Sequence, residues 1–269
     1  MTDNIHNDSP ADFLRDKHAI VTGGGHGLGK SIAADLARAG ANVTVMGRDH
    51  ASLEESAAEL RDRFRIEARG LVCDVADPDS VSVAFSSATD TFGAAHVLVN
   101  NAGQARSAAF TETSLDLWEH TIAVNLTGPF LCTQQVLPSM LRDADGRIVN
   151  LASTAALRGY ATLAAYCASK HGLLGMTRSL AAEVARSGIT VNAVCPGYTE
   201  GGMSDQAVAA IMTLRGVSAD EALATLIRHN PQKRLTTQSE VAATVAWLCS
   251  PDASAITGQA IAVAGGEVM

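Results

Sequence analysis

Tyr166 and Lys170 lie four residues apart in AAYCASKHGLLGMTRSL, a run that reads as one helix. Residues at that spacing share a helix face, so a phenol and an ammonium can meet at one site. A free tyrosine titrates near pH ~10, and a fixed positive charge beside it favours the phenolate. Such a pair suits proton transfer to a carbonyl or from an alcohol. The spacing alone fits equally well a packing tyrosine beside a solvated lysine. A second chemistry-bearing cluster is TGGGHGLGK, residues 22–30, which follows a strand-like run and opens a helix. Glycines there let the backbone turn tightly, and the N–H groups of the helix start face outward, where a phosphate would be held.

The elements that must position these residues alternate along the chain. Apolar strand candidates fall at 18–23, 41–47, 66–74, 96–101, 147–153, 189–197 and 260–266. Helical patterns run over 27–39, about 51–64, about 78–92 and 114 to about 141, and the Tyr166 helix precedes the sixth strand. Near-continuous Val/Ile/Leu strands separated by helices predict an α/β fold with a doubly wound, Rossmann-type parallel sheet and helices on both faces. The length of 269 residues suits one such domain, expected over 17–269. Residues 1–16 read as a flexible polar leader, without the basic start and apolar stretch of a signal peptide. Residues 198–236 break the alternation and read as a substrate lid.

Composition narrows the function. The formal charge of −8 disfavours nucleic acid as a partner. No apolar run is long enough to suggest a membrane span. Five scattered cysteines without a CxxC pair suggest reduced thiols, a cytoplasmic setting and no metal site.

The spacing Thr22-Gly23-x-x-x-Gly27-x-Gly29 is similar to the glycine turn of the short-chain dehydrogenase/reductase family. Four further pieces match in order: NNAG at 100–103, Asn125 in VNLTGPF, Ser153 thirteen residues before Tyr166, and Pro196-Gly197. The resemblance runs from about residue 17 to the C-terminus and implies a catalytic set of Asn125, Ser153, Tyr166 and Lys170. Tyr166 would be the general acid or base, and Lys170 would lower its pKa and hold the cofactor ribose. Ser153 would bind the carbonyl oxygen, and Asn125 would hold a water on the proton path. It also implies cofactor contacts from Thr22, Gly23, Gly25, His26, Gly27, Leu28 and Gly29 in the first turn. Asp74 and Val75 would meet the adenine, with Asp77 left as the cap of the next helix. Asn101, Ala102, Gly103, Pro196, Gly197 and Thr199 would complete the cofactor site. The family often has Thr at the position of Gly201, and Thr199 is out of that register; Gly201-Gly202 could serve instead as a hinge.

A carboxylate at the end of the second strand would bind ribose hydroxyls and repel a 2′-phosphate. This chain has Gly47-Arg48 there, and a guanidinium pairs with phosphate. NADP(H) is therefore expected over NAD(H). Gln104, Ser153, Tyr160, Tyr198 and Met203 are candidate substrate contacts, with Thr154 and Leu157 as further walls. Arg106, Arg158 and Arg228 are either contacts for a carrier phosphate or surface charges. The tail and lid resemble those of ketoacyl reductases and 3-hydroxyacyl-CoA dehydrogenases. The expected reaction is hydride exchange between nicotinamide and a 3-oxoacyl/3-hydroxyacyl thioester. Alternatives are another secondary alcohol, cyclic or sugar, or a non-catalytic cofactor-binding regulator. The resemblance also implies a homotetramer through the long helices and the apolar end GQAIAVAGGEVM.

Overall fold

Seven parallel strands form one sheet in the order β3-β2-β1-β4-β5-β6-β7 in the computed structural model, which describes residues 12–268. The strands are β1 (His18–Thr22), β2 (Asn42–Gly47), β3 (Ala68–Val72), β4 (Val97–Asn100), β5 (Gly146–Leu151), β6 (Ile189–Pro196) and β7 (Ala260–Val263). Every residue of β1, β4 and β6 is buried, as strands covered on both faces must be. Alternate residues divide between two cores. Ala19, Val21, Val97 and Val99 pack on one face with Ile32, Leu36 and Val245. Ile20 and Leu98 pack on the other with Phe85, Val136 and Met140. This is the doubly wound arrangement, and the chain reverses its direction of winding between β1 and β4. A crevice opens there at the carboxyl ends of the strands.

The helices are α1 (Gly27–Arg38), α2 (His50–Phe64), α3 (Pro78–Phe92), α4 (Leu115–Ile122), α5 (Gly128–Asp143), α6 (Ala164–Glu183), α7 (Gly202–Arg215), α8 (Ala219–Leu226) and α9 (Gln238–Leu248). Asp77 caps α3 as expected: its carboxylate accepts the Asp79 N–H at 3.0 Å and Pro78 opens the helix. The stretch read as one helix over 114–141 is in fact two. A wide π turn, Ala123–Thr127, separates α4 from α5. Pro129 has no N–H to give the carbonyl of Asn125, four residues earlier, so the α-helical ladder is interrupted there.

Residues 1–11 of the expected leader lie outside the described residues. Residues 12–16 belong to the packed body: Leu14 is buried and its N–H donates to the Ala39 carbonyl at 2.8 Å. The segment 198–236 holds α7 and α8. Its base is tied by Thr236 N–H to the Tyr198 carbonyl and Glu200 N–H to the Thr236 carbonyl, both 2.9 Å. Gly201, offered as a hinge, adopts φ +113° at the start of α7, and the Gln238 amide donates to the Glu200 carbonyl beside it. Among the described residues no helix is long and apolar enough to cross a membrane.

At the amino end of the sheet, away from the crevice, His18 is almost fully buried. Its ring lies 2.9 Å from both the Gly93 carbonyl and the Thr44 hydroxyl. Burial, aided by the neighbouring His96 and opposed by the Gly93 carbonyl, lowers its pKa to about 4. Below the unfolded value of 6.5 the unfolded chain therefore takes up a proton that the folded chain refuses. The stabilisation is fully present above pH 6.5 and is lost as pH falls through about 4. The loss from this one group should be roughly 3 kcal/mol. Urea unfolding at stepped pH should show it, and His18→Gln should flatten the slope over that interval. An unchanged slope in the variant would refute the assignment.

Candidate active site

The residues singled out by spacing converge on the carboxyl ends of β1, β4, β5 and β6. The glycine turn leaves β1 and is locked to the end of β4. The Thr22 hydroxyl accepts the N–H groups of Asn101 and Ala102 at 3.0 and 3.1 Å. The Asn101 amide returns to the carbonyls of Thr22 and Gly23 at 2.9 and 3.2 Å. Gly23 adopts φ +66°, and a Cβ there would sit 2.8 Å from the Asn101 amide nitrogen. At Gly29 a Cβ would fall on the Gly23 carbonyl oxygen and 2.5 Å from the same amide. Gly27, in contrast, has φ +55°, and a Cβ there would meet nothing within 4 Å. Leu28 packs partly into the core, whereas His26 is exposed and caps α1 without a side-chain bond.

Around this turn, Arg48 is exposed at the end of β2. The neighbouring acid, Asp49, is already engaged as the cap of α2, accepting the N–H groups of Ala51 and Ser52 at 2.9 and 3.3 Å. Asp74 is half-buried and accepts the Ala76 N–H at 3.0 Å. Val75, the expected adenine wall, follows it directly. Its side chain is turned into the core against Gly128, because the approach of α5 leaves room there only for glycine.

Tyr166 and Lys170 stand on one face of α6, both buried, with the ammonium 5.7 Å from the phenol ring centre. Lys170 donates to the Leu151 carbonyl at 2.6 Å, and burial lowers its pKa to about 8. The expected lowering of the Tyr166 pKa is not found: burial raises it to about 12, with the Ser153 hydroxyl opposing. The ammonium is engaged by a backbone carbonyl, so desolvation of the phenolate dominates. Tyr166 accordingly holds its proton at neutral pH. Ser153 follows β5 and its oxygen accepts the Ala155 N–H at 3.1 Å, which leaves the hydroxyl proton to donate.

Asn125, at the π turn, is fully buried and clamps the loop after β4. Its side-chain oxygen accepts the Gln104 N–H at 2.9 Å, and its amide donates to the Gln104 carbonyl at 2.8 Å and the Ser169 hydroxyl at 3.1 Å. Gly103 passes close to the lysine, since a Cβ there would be 3.6 Å from its ammonium nitrogen. Gly197 N–H bonds the Val263 carbonyl at 3.1 Å just after Pro196, and the Thr199 hydroxyl turns back onto the Gly197 carbonyl at 3.1 Å.

Of the substrate candidates, Tyr160 packs with Tyr166 and Tyr198 is half-buried nearby. Met203 is largely exposed on α7, and Arg106 lies at the surface. The sequence reading missed Glu267. Its side chain is buried, and its carboxylate accepts the Tyr160 hydroxyl at 2.6 Å. Only the double glycine at 265–266, both residues at positive φ, marked a turn that could deliver it.

A family model described as enoyl-(acyl carrier protein) reductase matches residues 23–267. The chain is 38% identical to a 3-oxoacyl-[acyl-carrier-protein] reductase of Staphylococcus aureus, over 94% of this chain and 98% of that one. It is 37% identical to 2-(S)-hydroxypropyl-CoM dehydrogenase 3 of Xanthobacter autotrophicus, over 94% and 97%. Among solved structures, a point variant of the actinorhodin polyketide ketoreductase with NADPH superposes with a TM-score of 0.89 at 40% identity, covering 93% of this chain and 97% of that one. Agreement this long, in order and in fold, means that the chain belongs to the short-chain dehydrogenase/reductase family.

Proposed function

We propose that this protein is an NADPH-dependent ketoreductase that reduces a 3-oxoacyl thioester to the 3-hydroxyacyl form. The convergence of Ser153, Tyr166 and Lys170 beside a glycine turn carries the reading. The glycine turn fits a dinucleotide on its own geometry. Gly23 and Gly29 bring two backbone stretches into contact that any side chain would separate, while the space beside Gly27 and the uncapped start of α1 suit a pyrophosphate. Thr22, Gly25, His26, Leu28 and the Asn101–Gly103 backbone frame that cradle. Asp74 serves the adenine end, and Pro196, Gly197 and Thr199 the nicotinamide end. When bound, NADPH supplies the hydride that the carbonyl carbon accepts. Arg48 meets the 2′-phosphate, a role favoured by the commitment of Asp49 to its helix cap.

The chain's own residues handle the proton and the oxygen. Ser153 donates its hydroxyl proton to the carbonyl oxygen and steadies the developing alkoxide. Tyr166, protonated at neutral pH, gives its proton to that oxygen. Lys170, with a pKa near 8, is the next group able to return a proton towards the phenol. Asn125 holds the Gln104 loop in place beside them.

A second reading, oxidation of another secondary alcohol, is favoured by the likeness to the hydroxypropyl-CoM dehydrogenase. Initial rates on acetoacetyl-CoA, cyclic ketones and sugars, each with NADPH and NADH, separate the two. The thioester with NADPH should give the highest kcat/KM, with NADPH favoured at least ~10-fold, as one lost charge-assisted contact implies. Arg48→Ala should erase that cofactor preference. A thioester no better than the other ketones defeats the substrate assignment, and a native preference for NADH defeats the cofactor assignment. We place the enzyme in the cytoplasm as a homotetramer; the exposed Leu115, Trp118, Phe130 and Leu141 on α4 and α5 support assembly through those helices.

A further inference from the structure

Glu267 brings a carboxylate into the wall of the site, although it follows the last strand of the sheet. Its side chain is only 4% exposed. One oxygen accepts the Tyr160 hydroxyl at 2.6 Å and faces the Arg158 guanidinium at 3.9 Å. Tyr160 is fixed in turn: its oxygen is 2.7 Å from the Thr154 hydroxyl, and Arg158 lies 4.7 Å over its ring. Thr154 follows Ser153 in sequence, so the hydrogen-bonded run from the carboxylate through Tyr160 ends at the residue next to the carbonyl-binding serine. The other oxygen, Oε2, lies by Gly197, 3.2 Å from where a Cβ would be. Among the described residues it has no hydrogen-bond donor.

The backbone is built to deliver this group. Gly265 and Gly266 turn at φ +58° and +88°, and a Cβ on Gly265 would be 2.5 Å from the Asn230 side-chain oxygen. Asn230 is itself buried and held, accepting the Gln232 N–H at 2.7 Å and donating to the Arg234 carbonyl at 3.0 Å. The tail is thus docked on the segment that follows α8, and the turn sets Glu267 beside Tyr160. The small remaining exposure of the side chain leaves Oε2 as an acceptor that a ligand hydroxyl can reach.

Resting on the ketoreductase reading, we infer that Glu267 determines specificity by accepting a hydrogen bond from a hydroxyl of the substrate, so that the preferred substrates are hydroxylated 3-oxoacyl thioesters rather than plain alkyl ones. Tyr160 and Arg158 hold the carboxylate and leave Oε2 to read the hydroxyl. The same acceptor disfavours substituents that only accept, such as an ether or a carboxylate, since neither can supply the missing proton.

The test uses the full chain with saturating NADPH and 3-oxooctanoyl thioesters of N-acetylcysteamine. Each carries a hydroxyl at one of the carbons beyond the ketone, a methoxy group at the same place, or no substituent. At one position the hydroxyl should raise kcat/KM about tenfold over both comparators, the scale of one hydrogen bond to a charged acceptor. Glu267→Gln keeps an oxygen for Tyr160 but presents an N–H in place of Oε2, and it should bring the hydroxyl-to-methoxy ratio to about one. Tyr160→Phe removes the internal donor and leaves both carboxylate oxygens, so the ratio should persist. The proposal is overturned by reduction of the plain thioester with no hydroxyl preference at any position, by a ratio that survives Glu267→Gln, or by one that collapses equally in Tyr160→Phe. If no thioester is reduced, the ketoreductase reading fails as well and this inference falls with it.

Discussion

Tyr166→Phe is expected to lower kcat by about a thousandfold while leaving NADPH affinity within a few-fold of the native value. The loss follows from the position of the phenol. It is buried, it retains its proton at neutral pH, and it lies beside both Ser153 and Lys170. Removal of a positioned general acid costs typically ~10²–10⁴ in rate. The ring itself packs in a small cluster with Ala155 and Cys167, and phenylalanine preserves that packing, so folding should be intact. Single-turnover oxidation of bound NADPH measures the chemical step, and calorimetric titration measures binding. A variant that keeps a tenth of native kcat would remove Tyr166 from the proton-transfer role.

Gly29→Ala should have an effect of comparable size by a different route. The added methyl would occupy the place of the Gly23 carbonyl oxygen, and both neighbours are backbone or tied side chain. Neither can withdraw alone, because Asn101 also holds Thr22 and Gly23 together. Relief requires opening the turn. Overpacking of a tight contact costs about 1–3 kcal/mol and occasionally more, so the melting temperature should fall by roughly 5 °C. The same movement pulls the N–H groups out of line, and NADPH affinity should fall about a hundredfold. Gly27→Ala is the informative contrast in stability: it meets no protein neighbour and should cost the fold only the roughly 1–2 kcal/mol of a left-handed alanine. Binding by Gly29→Ala within threefold of native would show that the turn does not depend on this close approach.

The parallel sheet was legible because buried strands write themselves as apolar runs, and the site's centre because Ser153, Tyr166 and Lys170 occupy fixed places on β5's end and α6. What stayed hidden depends on burial or on contacts between distant segments. The direction of the Tyr166 shift is one case: the sequence shows a lysine four residues away but not the desolvation that outweighs it. Val75 is another, since nothing in CDVAD tells that Gly128 will meet it. Leu14 was lost in a polar leader because one buried residue gives no periodicity. Glu267 looked like part of an apolar chain end, and only the docking of Gly265 on Asn230 turns it into the site.

The π turn at Ala123–Thr127 amounts to one extra residue spliced into an otherwise continuous rod. Each added residue rotates the downstream helix by about 100° around the axis. The helices on either side therefore present differently phased faces: Thr121 is buried on α4, and Cys132, Val136 and Met140 form the buried stripe of α5. Deleting a single residue here would remove that extra rotation and place one of those two faces out of phase with its neighbours. Asn125 sits at the splice and clamps Gln104, so the loop of the site and the register of the helix pair are set by the same irregularity.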